Sequence, residues 1–412
     1  MLKNKDRSFR SLLPHKPKTL ARQALSLFYR WMGTTLRSAG VPLSQEILGY
    51  PPLQEPLTIE GIRGLTLTYL DAMRIKKGGE FGGFRHSGST KKPVLYATLG
   101  ALLVKHLYGV EDERNFEELR YILRFQSEDG LFRDPVINCR LADTEDWWGW
   151  RHLTLHALMT LALYNVPAER EIVYMNRFLD KDRFRNFINS RDWGARAAWT
   201  SNELQNLGVM LQYARDYQSS PTAGDLLEVL YEAIDDHQDS ETGLFGQSFK
   251  GAEDLSLGVQ AGYHFWLLYF YDKRPILHVD RIIDSLLRTQ NILGGYGVKW
   301  NSSACEDIDS IDPLVRLSPL TNYRCDDIQA SLGRALPAIL NNLNGDGGWV
   351  FRRHESLTVG HPQMFSKENE SNIFYTWFRT LGLAYCLSGL RNIPLRLEYN
   401  WKFGHVPGHQ FL

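Results

Sequence analysis

Two short stretches of this chain carry carboxylates at a density that helix capping alone does not require. The first reads Cys305-Glu306-Asp307-Ile308-Asp309-Ser310-Ile311-Asp312, and the second reads Arg324-Cys325-Asp326-Asp327. Together they hold six acids, where capping one helix takes one carboxylate. Acids packed this closely repel one another unless a proton, a metal or basic side chains compensate. A carboxylic acid beside another carboxylate keeps its proton above its ordinary pKa, because two like charges at close range cannot both ionise. Such a group is a proton donor at neutral pH. Asp309 is the candidate general acid, with Asp307 or Asp312 to orient it, and Asp326 and Asp327 form the fallback pair.

Glycine-aromatic turns bracket both stretches, at Gly294-Gly295-Tyr296-Gly297 and Gly345-Asp346-Gly347-Gly348-Trp349. Related turns stand at Gly79 to Phe84, Gln126 to Phe132, Arg191 to Gly194 and Asp239 to Phe245. Recurrence every 50 to 60 residues or so is the signature of stacked supersecondary units. Apolar positions three and four apart predict a helix before each turn: Thr58–Met73, Phe116–Phe125, Ala168–Phe187, Asp225–His237, Val279–Gln290 and Ile328–Leu343. The helices predicted after the turns are Val94–Leu107, Trp148–Leu163, Trp199–Tyr213, Leu257–Phe270, a segment starting near Arg324, and Asn372–Leu387. Several of this second set are apolar nearly all round, as in Leu153, Leu155, Ala157, Leu158, Met159, Leu161 and Ala162, and such helices are buried on every side. Alternating half-polar and apolar helices describe two concentric rings. The expected fold is all-α, an (α/α)6 barrel or toroid of six helical hairpins with little or no sheet.

In such a barrel the inner helices point their N-termini to one end, so the six turns meet at one mouth. Residues around those N-termini are therefore the site candidates. The second unit offers Asp143, Glu145, Asp146, Trp147, Trp148, Arg151 and His152; the third offers Trp199, Ser201, Asn202 and Glu203. The fourth offers Glu253, Asp254, Gln260 and His264, and the sixth Glu370, Ser371, Asn372 and Tyr375. Arg324 joins the fifth, acidic set. Plainer roles compete with each of these: Asp143, Glu253 and Glu370 read as caps, His152, His156 and His264 as hydrogen-bonded core histidines, and Trp147, Trp148 and Trp150 as barrel wall.

Composition sets further bounds. The 412 residues suffice for one large domain, taken as 46–412, after a basic segment over 1–45. Lys+Arg and Asp+Glu number 47 each, so nothing in the balance points to nucleic acid. The 12% aromatic content, with eleven tryptophans, suits an apolar or sugar-stacking cavity and a large core equally. Cys139, Cys305, Cys325 and Cys386 have no metal-binding spacing, which leads to the expectation of a reduced, cytoplasmic protein without cofactor or metal. No apolar run reaches about 18 residues, so no membrane span is expected. In the basic segment, Leu20, Ala24, Leu25, Leu27, Phe28 and Trp31 form an apolar face beside Arg22 and Arg30. That helix can rest on an anionic membrane surface or pack on the body.

The repeated turns, as in Thr289-Gln290-Asn291-Ile292-Leu293-Gly294-Gly295-Tyr296-Gly297 and Asn341 to Trp349, resemble the QW-type repeats of the terpenoid cyclase and protein prenyltransferase toroid superfamily. The resemblance covers most of the chain after residue 55 and implies the same barrel. Class II terpene cyclases of that superfamily start cyclisation by protonation from a D-x-D-D motif at an inner-helix N-terminus. Asp307-Ile308-Asp309-Ser310 keeps three of its four features, with Ser310 for the last acid, and Arg324-Cys325-Asp326-Asp327 keeps the final pair. The resemblance implies Asp309 as proton donor to a linear isoprenoid, with the rings of Trp147, Trp148 and Trp199 stabilising the cation. Carbohydrate-active (α/α)6 enzymes are the alternative, since they need paired carboxylates and stacking tryptophans, with Arg151, His152 and Arg324 gripping a uronate or phosphate. A toroid that binds a ligand without chemistry is the third reading.

Overall fold

The computed structural model describes residues 57–137, 149–246, 249 and 251–410. Within them the apolar periodicity becomes six consecutive helix pairs. These are α1 (Ile59–Met73) with α2 (Leu95–Leu107), α3 (Glu113–Leu123) with α4 (Gly149–Leu163), and α5 (Lys181–Asn189) with α6 (Ala197–Tyr217). They continue as α7 (Ala223–Asp235) with α8 (Ala252–Tyr271), α9 (Val279–Arg288) with α10 (Ala304–Leu317), and α11 (Cys325–Leu340) with α12 (Ile373–Gly389). The second member of each pair lies inside. Every residue of α4 except Trp150 is buried, whereas α3 buries only Asn115, Glu118, Leu119 and Ile122. The inner helices pack in sequence, and α12 packs back on α2, which closes the ring. The protein is an all-α (α/α)6 barrel.

Strands are confined to three short antiparallel pairs among the described residues: β1 (Arg74–Lys77) with β2 (Glu80–Phe84), β3 (Leu357–Thr358) with β4 (Phe365–Ser366), and β5 (His405–Val406) with β6 (His409–Gln410). The β1–β2 hairpin is the first glycine-aromatic turn. Three of the later turns share one bond. Nε2 of Gln126, Gln238 and Gln290 donates to the carbonyls of Gly130, Gly243 and Gly294 at 3.1, 3.0 and 2.8 Å. The aromatic's backbone N–H then reaches the following inner helix: Phe132 donates to Thr154 Oγ1 at 2.8 Å and Trp349 to Thr376 Oγ1 at 3.0 Å. Gly294 has φ +94°, and a Cβ there would stand 2.1 Å from the Arg334 carbonyl oxygen, so the turn requires glycine. Each such turn ties the end of an outer helix to the N-terminal part of the next inner one. The turns therefore mark the mouth.

Two expectations are corrected here. The fifth inner helix is α10, and the helix that opens near Arg324 is the outer α11. Four acids and Pro313 obscure the apolar pattern of α10, although Ile308, Ile311, Leu314 and Val315 bury it as fully as its neighbours. In the third unit, the span predicted as one helix splits into a 3-10 turn at Val173–Phe178 and the short α5.

The chain after α12 closes the opposite end. Tyr399 Oη donates to the Tyr108 carbonyl at 2.8 Å, and the Phe403 ring packs on Tyr385. Gly404 then lies against Leu163, the last residue of α4, and Gly408 against Leu155 and Val209. Leu155 is two turns deeper than Leu163, so the β5–β6 hairpin enters the barrel by about 12 Å. It forms the floor of the lumen. No helix among the described residues is long and apolar enough to cross a membrane. The basic segment 1–45 lies outside the described residues, as do Cys139, Asp143, Glu145, Asp146, Trp147 and Trp148.

Candidate active site in the barrel lumen

Contacts between helices that are not neighbours in the ring locate the interior. The His156 ring on α4 meets Phe374 and Trp377 of α12 at 5.7 and 5.4 Å between centroids, across the intervening α2. One turn nearer the mouth, His152 Nδ1 is 2.9 Å from Tyr96 Oη of α2. His264 of α8 holds Ser201 Oγ at 2.9 Å and Asn202 Nδ2 at 3.1 Å, both from α6. Burial drives His156 down to about 4 and His264 to about 3, and it puts His152 well below its ordinary value, with His156 and His264 adding to the shift. All three imidazoles are neutral at pH 7. Ser201, Asn202, His152 and His264 form a hydrogen-bonding wall, while Tyr96, Phe374 and Trp377 form an aromatic one.

The acids of α10 divide by partner. Glu306 closes a capping box with Ser303 (3.1 and 2.8 Å) and accepts from Arg352 Nη2 at 2.7 Å. Asp307, the fourth residue of its helix, takes the place that Thr376 holds in α12: its Oδ1 accepts the Tyr296 N–H of the turn at 2.9 Å. Its Oδ2 accepts from Ser302 Oγ at 3.0 Å and pairs with the buried Arg379. Burial raises the Asp307 carboxyl, while Arg379, the Tyr296 N–H and Ser302 pull it down. Both oxygens of Asp307 are engaged by the frame, so it anchors the turn and accepts no hydrogen bond from Asp309, while its charge adds to the Asp309 shift. Asp312 pairs with Arg316 Nε at 2.5 Å, and burial outweighs Arg316 to put it at about 6.

Asp309 differs from all of these. It is 3% exposed and accepts no hydrogen bond among the described residues. Burial first, then Glu306, Asp312 and Asp307, push its carboxyl well above the usual carboxylate range, so it holds its proton to higher pH than a free aspartate. The spacing of Cys305, Asp309, Asp312 and Arg316 places them on one helical face. Asp312 and Asp309 both raise Tyr263 of α8, the lumen residue next to His264. A neutral acid and an ionisable companion one turn away thus share this interior.

The remaining candidates fall into three groups. Asn202, His152 and His264 meet in the lumen as described. Arg151 and Glu203 bridge α4 and α6 at 2.9 Å, Trp199 is half-buried at the start of α6, and Tyr375 is buried on α12 against Phe351, 4.5 Å between centroids. Asp326, Asp327 and Arg324 are corrected. They open the outer helix α11 after the connection that leaves the C-terminus of α10, at the end opposite the turns. Arg324 there clamps Asp284 at 2.8 Å and Asp327 at 2.7 Å, and the Asp326 side chain is 99% exposed. Sequence reasoning missed Tyr96, Tyr263 and Arg379. Arg379 had a signal, a lone charge in the apolar run Ile373-Phe374-Tyr375-Thr376-Trp377-Phe378-Arg379-Thr380-Leu381, because a buried charge demands a partner. Among the described residues no three His, Cys, Asp or Glu side chains converge as a metal-binding group.

No protein-family model and no curated protein matches this chain. Among solved structures it is similar to a glycosyl hydrolase family 88 protein from Bacteroides vulgatus (12% identity, covering 81% of this chain and 100% of that one, TM-score 0.49). It is also similar to a polysaccharide lyase (13% identity, 80% and 97% covered, TM-score 0.46). A third is an ent-copalyl diphosphate synthase from Streptomyces platensis (14% identity, 80% and 67% covered, TM-score 0.43). Likeness at this level concerns the path of the chain and assigns no activity.

Proposed function

We propose that this chain is an enzyme whose reaction begins with proton transfer from Asp309 in the barrel lumen, and that its substrate is a carbohydrate. One observation supports the reading: a buried carboxyl that accepts no hydrogen bond among the described residues, its proton held by burial and three neighbouring acids, in a barrel whose interior also carries hydrogen-bonding side chains. A carboxylic acid in that state is a general acid at neutral pH. Asp312, at about 6 and paired with Arg316, is ionised under the same conditions. Two carboxyls raised to different extents, one holding its proton more tightly than the other, are what glycosidic-bond chemistry employs, one to protonate the leaving oxygen and one to stabilise charge or activate water. Ser201, Asn202, His152 and His264 would fix sugar hydroxyls, with Trp199 as a stacking surface at the mouth.

A second reading has its own observation. Phe374 and Trp377 meet His156 within the same interior, one tilted and one edge-on, and aromatic faces stabilise carbocations, which suits proton-initiated cyclisation of a linear isoprenoid. Asp309 would donate the proton there too. The test is incubation of the purified chain with two panels, neutral and uronate-containing oligosaccharides against free, epoxidised and diphosphorylated polyprenyls, with products read by mass spectrometry. Glycan cleavage lost in Asp309→Asn supports the first reading. A cyclised product of unchanged mass transfers the assignment to the second. Undiminished turnover in Asp309→Asn on either panel rules out Asp309 as the acid.

A further inference from the structure

Arg151, the third residue of α4, is 2% exposed. Its Nη1 donates to Glu203 Oε1 at 2.9 Å, but its Nε and Nη2 are buried and donate to no group among the described residues. The other oxygen of Glu203 stands 3.8 Å from Arg191 Nη1, beyond hydrogen-bond range. Two guanidinium groups therefore share one carboxylate, Arg191 reaching solvent with part of its side chain while Arg151 is buried. The large majority of buried donors in native structures have partners. An oxyanion that accepts from Nε and Nη2 in parallel would supply the missing pair. The flanking residues tie this position to the lumen, since His152 meets Tyr96 and Asn202 meets His264. Trp199 lies one turn ahead of Glu203 on α6, half-buried at the mouth.

We propose that Arg151 is a subsite for an oxyanion carried by the ligand of the lumen, the carboxylate of an acidic sugar, with Glu203 as its positioning partner and Arg191 behind it. The sugar assignment rests on the carbohydrate reading above, while the oxyanion subsite stands on the guanidinium geometry alone. The pair Arg151–Glu203 sets the plane of the guanidinium. The free Nε and Nη2 edge then presents two parallel donors, which a lysine could not reproduce.

The test is calorimetric binding to the full chain of glucuronate, glucose and inorganic phosphate. Glucuronate should bind at least about tenfold more tightly than glucose, and Arg151→Gln should weaken glucuronate by about ten- to a hundredfold while leaving glucose unchanged. Glu203→Gln should tighten glucuronate binding, because it keeps an acceptor for Nη1 while removing the negative charge that repels a second carboxylate. A merely structural ion pair would show no such gain. Because Arg151→Gln alone strands Glu203, the double variant Arg151→Gln/Glu203→Gln is measured beside it, with thermal unfolding to confirm the fold. Equal affinity for glucose and glucuronate in the wild type, or unchanged glucuronate affinity in either folded Arg151 variant, overturns the proposal. Tighter binding of phosphate with the same Arg151 dependence keeps the oxyanion subsite and overturns the acidic sugar. Asp309→Asn should bind glucuronate normally, so a failed general acid and a failed subsite give different results.

Discussion

Replacing Asp309 by Asn isolates one proton. The amide has nearly the shape of a protonated carboxyl and never ionises, so at low pH the two proteins should be equally stable. In the unfolded chain Asp309 gives up its proton near pH 4, whereas in the barrel it holds the proton well above that point. Between those two values the folded wild type binds more protons than the unfolded chain, and its stability must fall as pH rises. The slope is up to about 1.4 kcal/mol per pH unit, and Asp309→Asn abolishes this contribution. Urea unfolding of both proteins from pH 4 to pH 8 should therefore show coincident stabilities at the acid end. Above that the gap should widen in favour of the variant with each unit. All other titrating groups are common to the two chains and cancel in the difference. Parallel curves, or a variant less stable at pH 8 than at pH 4 relative to wild type, would mean that Asp309 is ionised in the barrel, and the general-acid assignment would go with it. The same substitution should lower turnover by about 10² to 10⁴ once a substrate is in hand.

Three other changes probe the frame around that acid. Asp307→Asn leaves the buried Arg379 without its counter-charge and should cost about 3–5 kcal/mol in chemical denaturation, in contrast to its neighbour two residues on. Gly294→Ala meets both a left-handed φ and the Arg334 carbonyl and should cost at least about 1–3 kcal/mol, while Gly333→Ala, on the outer helix α11 with open space around it, should gain about 0.5–1 kcal/mol. Removing residues 405–412 should uncover Leu155 and Val209, raise binding of an apolar dye and lower the melting temperature; unchanged dye binding would show that the hairpin is no floor.

The rings were legible in the sequence because burial all round leaves a helix without a polar face, and because the glycine turns recur. The fifth unit was misread for a physical reason. Glu306, Asp307, Asp309 and Asp312 are polar letters that the fold nonetheless buries, so α10 failed the apolar test and the exposed Arg324-Cys325-Asp326-Asp327 took its place. What rescues α10 is long-range: Arg352 lies 46 residues from Glu306, and Arg379 lies 72 from Asp307. No local pattern announces those pairs. The tail that floors the barrel was invisible for the opposite reason, since Gly404 to Gly408 is too short and irregular to carry any period.

The same pairings decide which acid is left to do chemistry. Along α10 the third position is needed to cap the helix, the fourth to receive the turn, and the ninth to hold Arg316. Only the sixth, Asp309, has no structural duty, and it is the one whose ionisation the surrounding charges oppose. A helix built from acids for architectural reasons would pair each of them, because an unpaired buried carboxyl costs stability at every pH above about 4. That this cost is retained at one position, next to Glu306, Asp307 and Asp312, is the physical case for a site rather than a scaffold.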